Sequence, residues 1–248
     1  MIKNKQEFAS AAGNIKDKDN IASIGEYMEK SIHSVLKNYF EIDKAYQEVK
    51  VDSYICDIKN EYGIIEIQTR SFDKLRHKLD VFLENFDVTI VYPIIVNKKI
   101  VYLDDTSKGL RMSPSHKTIF SVFSELYKIK TYLTNPHLHF HFVYLETLEV
   151  KKGYRLNKYH QLKHLSQDSI PLSLIKEESY DTYTDFYKIL DGINEPFTVK
   201  SLSKLKKAKK EDVQICITVL KYLGIIKHID TIKREYVYEL SNQKKEIN

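Results

Sequence analysis

Tryptophan is absent from this chain of 248 residues, cysteine occurs twice, and glycine and proline number only seven and five. Cysteines as far apart as Cys56 and Cys216 exclude a disulfide scaffold. Long apolar runs are missing too. The longest, Val88 to Val96, spans nine residues and includes Thr89 and Pro93, about half of what a membrane helix needs. The opening MIKNKQEFAS is polar and has no signal-peptide core, so the expected residence is the cytoplasm. Little glycine beside 18 Tyr and 11 Phe also fits a cytoplasmic protein from an AT-rich genome. What is present, 42% apolar and 29% charged residues, is the mixture of a packed soluble protein, too hydrophobic for disorder.

The net charge of +5 hides an uneven distribution. From Thr198 to Asn248 there are twelve Lys and Arg against six Asp and Glu, whereas residues 1–197 hold 27 against 28. Lys200, Lys204, Lys206, Lys207, Lys209 and Lys210 fall within eleven residues with no acid between them, a cluster suited to a polyanion or to a solvated surface.

Periodicity divides the chain into an α/β domain over 1–180 and a small second domain over 181–248. Met28, Ile32, Val35, Leu36 and Tyr39 make one stripe of a first helix. Between Tyr46 and Thr69 the period becomes two, which predicts three short antiparallel strands. Ser71 can cap the next helix, which carries Phe72, Leu75, Leu79 and Phe82. VTIVYPIIV then reads as a buried strand, with KKIVYL turning back beside it. A helix over about 117–132 and a strand in HFVYLETLEV extend this domain. Beyond Asp181, three helices, Gly224 as a helix stop and two alternating strands predict a winged helix-turn-helix.

Chemistry concentrates in DIKNEYGIIEIQT. If Asn60 and Gly63 close the turn, Asp57 faces Glu66, with Cβ atoms roughly 5 Å apart. Glu66 and Gln68 then share a face while Ile65 and Ile67 point to the core. Two adjacent acids beside apolar structure repel each other, and a divalent cation would relieve the cost; Mg²⁺ prefers such oxygen ligands. The plainer alternative is two polar residues on the solvent face of a hairpin. Asp52 rivals Asp57, but strand parity sends it to the other face.

With that helix, three-strand, helix, strand order and the Asp57, Glu66-Ile67-Gln68 spacing, the sequence resembles the PD-(D/E)XK nuclease superfamily over about residues 23–103. The resemblance implies an αβββαβ restriction-endonuclease-like core with a mixed sheet. It implies Mg²⁺ or Mn²⁺ held by Asp57, Glu66 and the Ile67 carbonyl, with Glu29, in a Gly25-x-x-x-Glu29 spacing, as a helical third acid. Catalytic residues would be Asp57, Glu66, Gln68 and Glu29. Gln68 replaces the family lysine and brings no charge; Lys74, Lys78 or Arg70 would have to supply it. The implied activity is metal-dependent phosphodiester hydrolysis by a DNA endonuclease, and homodimers are common in this fold. DNA would meet Lys74 and Lys78 in the core and Lys209, Lys210, Lys233 and Arg234 in the winged helix. The alternative is an inactive nuclease-like scaffold acting as a DNA-binding regulator or protein-interaction module. His137, His139 and His141 alternate along one strand without a supporting Cys or acid at ligand spacing, which speaks against zinc. His33, four residues after Glu29, is either a surface residue or a proton-transfer group of the same site. RMSPSHK, Arg111 to Lys117, reads as an ordinary loop with a phosphate-friendly composition.

Overall fold

A computed structural model describes residues 5–12, 32–103, 109–114, 116–156, 162–193 and 196–241, and only the backbone of 155, 156 and 162–168. The protein is a mixed α/β structure that divides into two compact units. The first comprises Met1–Thr69, Val91–Lys117 and His141–Glu178; the second comprises Arg70–Ile90, Thr118–Phe140 and Ser179–Asn248.

In the first unit, α1 (Lys5–Ala12) and α2 (Ile32–Phe40) precede β1 (Gln47–Val51), β2 (Tyr54–Asn60) and β3 (Gly63–Ile67). These join β4 (Val88–Tyr102), β5 (Arg111–Met112), β6 (Leu138–Leu156) and β7 (Leu162–Tyr180) in one sheet, ordered β1-β2-β3-β4-β6-β7 with β5 on β4. The sheet is mixed. β1-β2 and β2-β3 are antiparallel. β4 and β6 run parallel, because Val88 N–H bonds His137 C=O and Leu103 N–H bonds Lys151 C=O, so both numbers rise together. Tyr144 reaching Glu178 while Glu146 meets Ser173 marks β6-β7 as antiparallel.

The helix stripe and the strand alternation meet in one core. Phe8 of α1 and Val35, Leu36 and Tyr39 of α2 pack with Ile58, Ile67, Val91 and Val143 of the sheet. Each such fully buried aliphatic or aromatic side chain is worth roughly 1.5–3 kcal/mol. One expectation is overturned here. KKIVYL does not turn back, because residues 88–102 form a single strand, with Val101 buried beside Leu148, Val150 and Ile170 in a second apolar cluster. β7, with its mixed polar and apolar residues, is a strand that periodicity did not reveal.

The second unit holds α3 (Arg76–Phe82), entered through a 3₁₀ turn at Phe72–Leu75, and α4 (Phe123–Leu126), flanked by 3₁₀ turns. Ser71 does not cap with its hydroxyl, which accepts from Lys128 Nζ instead; Phe72 N–H goes to Glu125 Oε2 at 2.8 Å. The helix expected over 117–132 is a short α-turn between 3₁₀ segments, kinked at Ile129. Phe72, Phe123, Phe140, Tyr180 and Phe186 supply the aromatic core, with Phe186 at 5.1 Å from Tyr180 and 5.8 Å from Phe123.

After a 3₁₀ segment at Tyr183–Leu190 come α5 (Val199–Lys206), α6 (Lys210–Tyr222) and the hairpin β8 (Ile226–Ile232) and β9 (Glu235–Leu240). Thr198 and Ser201 form a reciprocal cap on α5. Gly224 ends α6 at φ +70°, where its N–H bonds Lys221 C=O and Ile225 N–H bonds Leu220 C=O. Phe197 pairs with Tyr238 through two 2.8 Å backbone bonds, tying the segment before α5 to β9.

Candidate functional site

The β2-β3 hairpin has the expected register. Asn60 pairs with Gly63, Lys59 with Ile64 and Ile58 with Ile65. Asn60 Oδ1 accepts from Tyr62 N–H, an Asx turn that, with Gly63 at φ +113°, fixes the reversal. One step beyond the paired residues stand Asp57 and Glu66. There the side chain takes over from the ladder: Asp57 Oδ2 accepts from Ile67 N–H at 2.8 Å. Asp57 Oδ1 lies 3.2 Å from His33 Nε2 on α2, a contact the sequence left open between a surface and a functional role.

Glu66 is only 1% exposed, which overturns the solvent-face alternative for this acid. Ile67 belongs to the core beneath α1 and α2, so strand alternation sends Glu66 to the opposite face. Asp52 sits in the exposed β1-β2 turn at φ +51°, not on β2. One turn after His33, Lys37 bonds Glu48 at 2.7 Å. That hydrogen bond and the Lys37 charge hold the Glu48 carboxyl below its usual range, while the Asp57 charge opposes them.

Asp57, Glu66 and the Ile67 carbonyl offer only oxygen donors. That chemistry fits a hard cation such as Mg²⁺. Among the described residues, however, no group of three or more His, Cys, Asp or Glu side chains is arranged to hold a metal. Glu29 and Gly25 lie outside the described residues. Gln68 is half-buried, its N–H bonded to Val91 C=O. Lys74 is exposed and Lys78 half-buried on the 3₁₀-α3 segment of the second unit, and Arg70 is exposed.

The three alternating histidines are committed to acids the sequence did not connect with them. His137 Nδ1 is 2.7 Å from Asp87 Oδ1, and the hydrogen bond to His137 is the main cause holding that carboxyl below its usual range. His139 Nε2 is 3.7 Å from the same oxygen. His141 Nε2 meets Glu177 Oε1 at 3.1 Å, and Tyr39 donates to Glu177 Oε2 at 3.1 Å.

The second unit carries a separate feature, a cleft of about 540 Å³ between the start of α5, the outer face of α6 and the β8-β9 hairpin. Lys200, Lys210, Lys221 and Arg234 line it, with Tyr236 and Gln214. Lys210 and Arg234 were expected to meet phosphates; Lys209 and Lys233 are exposed beside them in sequence. Lys200 belongs to the basic cluster already read as suited to a polyanion, whereas Lys221 and Tyr236 were missed. The stripe Lys210, Gln214, Ile217 and Lys221, spaced four, three and four along α6, was the available signal.

The fold and these two features define a mixed α/β protein with an acidic hairpin and a basic C-terminal module. Residues 30–181 match the family model described as a domain of unknown function, DUF8091, and the chain belongs to that family. It is also similar to an uncharacterized protein of Treponema pallidum (strain Nichols), 31% identical over 132 residues, which are 52% of this chain and 53% of the relative. The chain thus spans about half the length of the curated relative it matches. No solved structure matches.

Proposed function

We propose that this protein is a metal-dependent DNA endonuclease of the PD-(D/E)XK type whose C-terminal winged helix positions the substrate. The observation that carries the reading is the end of the β2-β3 hairpin, where Asp57 accepts from the N–H of Ile67, the residue that follows the buried Glu66. The order α2, β1, β2, β3, α3, β4 supports a restriction-endonuclease-like core, and the order α5, α6, β8, β9 supports a winged helix. Asp57, Glu66 and the Ile67 carbonyl would hold Mg²⁺, which when bound supplies an activated water and neutralises phosphate charge. The chain's own contribution is positional. Ile67 N–H and His33 fix the Asp57 carboxylate in one orientation, so little reorganisation is left for the moment of reaction. Gln68 can donate a hydrogen bond to a phosphate oxygen, and the basic cleft gathers the polyanion. The protein would work in the cytoplasm, with a homodimer able to cut both strands.

The test is plasmid nicking with Mg²⁺ or Mn²⁺. Asp57→Ala and Glu66→Ala should each abolish it; unaltered nicking in both variants rejects the site.

A second reading has its own support. Asp57 Oδ2 already accepts from Ile67 N–H and Oδ1 lies 3.2 Å from His33 Nε2, and Gln68 lacks the charge of a lysine, as in a nuclease-like scaffold that binds DNA without cutting it. Salt-sensitive DNA binding, with no nicking and no rise of Tm on adding Mn²⁺, would favour that reading.

A further inference from the structure

We propose that the cleft between α5, α6 and the β8-β9 hairpin is a site for single-stranded nucleic acid, with Tyr236 as the platform on which a base stacks. The proposal rests on the nucleic-acid reading above and adds to it a preference of this cleft for strands with unpaired bases.

The rim is cationic from every side. Lys200 stands in the first turn of α5, Lys210 begins α6, Lys221 lies in the last turn of α6, and Arg234 occupies the hairpin turn at φ +67°. Among the described residues none of these four pairs with a carboxylate, and Glu235 is the one acid of the lining. Such a ring attracts phosphates whatever the sequence between them.

Charge alone would suit any nucleic acid; the floor is more selective. Tyr236 is 60% exposed inside this ring of cations. His228 meets its ring edge-on, at 5.0 Å and 84°, and so limits its orientation without covering it. Two residues along β9, Tyr238 is buried and pinned by the backbone pair with Phe197, so the strand beneath the platform is rigid. An aromatic face can stack only on a base whose own face is free, and in a duplex the grooves display base edges. The volume, about 540 Å³, lies in the ~300–1,000 Å³ range of sites that enclose small ligands, which suits a nucleotide or two.

The experiment uses the full-length chain and fluorescence anisotropy with labelled oligo(dT), oligo(rU) and a hairpin duplex of equal phosphate number. The single strand should bind about tenfold more tightly than the duplex, the worth of one stacked base. Tyr236→Ala should weaken single-strand binding about tenfold and leave duplex binding unchanged; Tyr236→Phe should retain it. Tyr222→Ala, an exposed aromatic outside the cleft, should change neither. With four phosphates neutralised, the log-log salt slope should be about −3 for the single strand. The oligo(dT) and oligo(rU) arms separate DNA from RNA. Duplex binding as tight as single-strand binding, or indifference to Tyr236→Ala, overturns the proposal while leaving a DNA-binding protein. Absence of binding to all three probes removes the nucleic-acid reading as well.

Discussion

Replacing Tyr39 by phenylalanine removes one oxygen from a buried polar contact of the first unit. The Tyr39 ring, 2% exposed, packs edge-on against Phe8 at 5.4 Å and Phe40 at 5.2 Å, contacts that phenylalanine keeps. What goes is the hydroxyl, which donates to Glu177 Oε2 while His141 meets Oε1. The Glu177 and His141 side chains are 5% and 6% exposed, so water cannot readily replace the lost donor. Loss of a hydrogen bond to a buried charged acceptor costs about 1.5–3 kcal/mol, the expected deficit of Tyr39→Phe at neutral pH. The pH dependence gives a second reading of the same contact. Burial, and after it the Glu177 carboxylate, pushes the Tyr39 phenol well above its ordinary value near 10. A raised folded-state pKa means that the stabilisation is complete below the unfolded value and is lost as pH rises through the folded one. Above about pH 10, the wild type therefore loses roughly 1.4 kcal/mol per pH unit through this group, and Tyr39→Phe does not. Urea unfolding followed by far-UV circular dichroism from pH 7 to 11 measures both. A deficit under about 0.5 kcal/mol at pH 7, or stability curves that stay parallel above pH 10, would refute the reasoning.

Three further outcomes follow from other contacts. Gln68→Lys should raise plasmid nicking about a hundredfold, the usual effect of one well-placed transition-state donor; an unchanged rate would assign the missing charge to another residue. Gly224→Ala should cost about 1 kcal/mol and lower Tm by about 2–4 °C, because a Cβ there meets nothing within 4 Å and only the left-handed φ resists it. A larger loss in a thermal melt would mean that the α6 stop packs more tightly than it does here. Glu125→Ala should destabilise by about 1–3 kcal/mol, since it removes the acceptor of Phe72 N–H and the carboxylate held by Lys128 at 2.8 Å. Urea unfolding with Lys128→Ala as a partner variant checks it, and full additivity of the two would contradict the shared contact.

Much of the candidate site was legible because hairpin register is a local property. Asn60 and Gly63 fix the turn, and the pairs Lys59–Ile64 and Ile58–Ile65 follow by counting, whereas Asp57, one step further, turns its carboxylate to Ile67 N–H and His33. The helix stripe of Val35, Leu36 and Tyr39 and the stop at Gly224 were legible for the same reason. β7 was not, because residues such as Ser173, Lys176 and Glu178 are polar and make their partners across the sheet in Glu146 and Tyr144. The unbroken run of β4 was equally hidden, since its outer half is stabilised by Lys98 and Lys99 pairing with Glu149 and Glu146 on the neighbouring strand.

By itself, then, the amino-acid order determined the short-range features: amphipathic stripes, strand parity, caps, and a basic excess at the C-terminal end. Only the tertiary structure decided which acids His137, His139 and His141 meet, that Glu66 is buried, that His33 reaches Asp57, and that four separated cations line one cleft with Tyr236. The physical reason is range. Periodicity and turn chemistry act over a few residues of covalent chain, whereas burial and ion pairing depend on distance through space, which is set only when the elements pack.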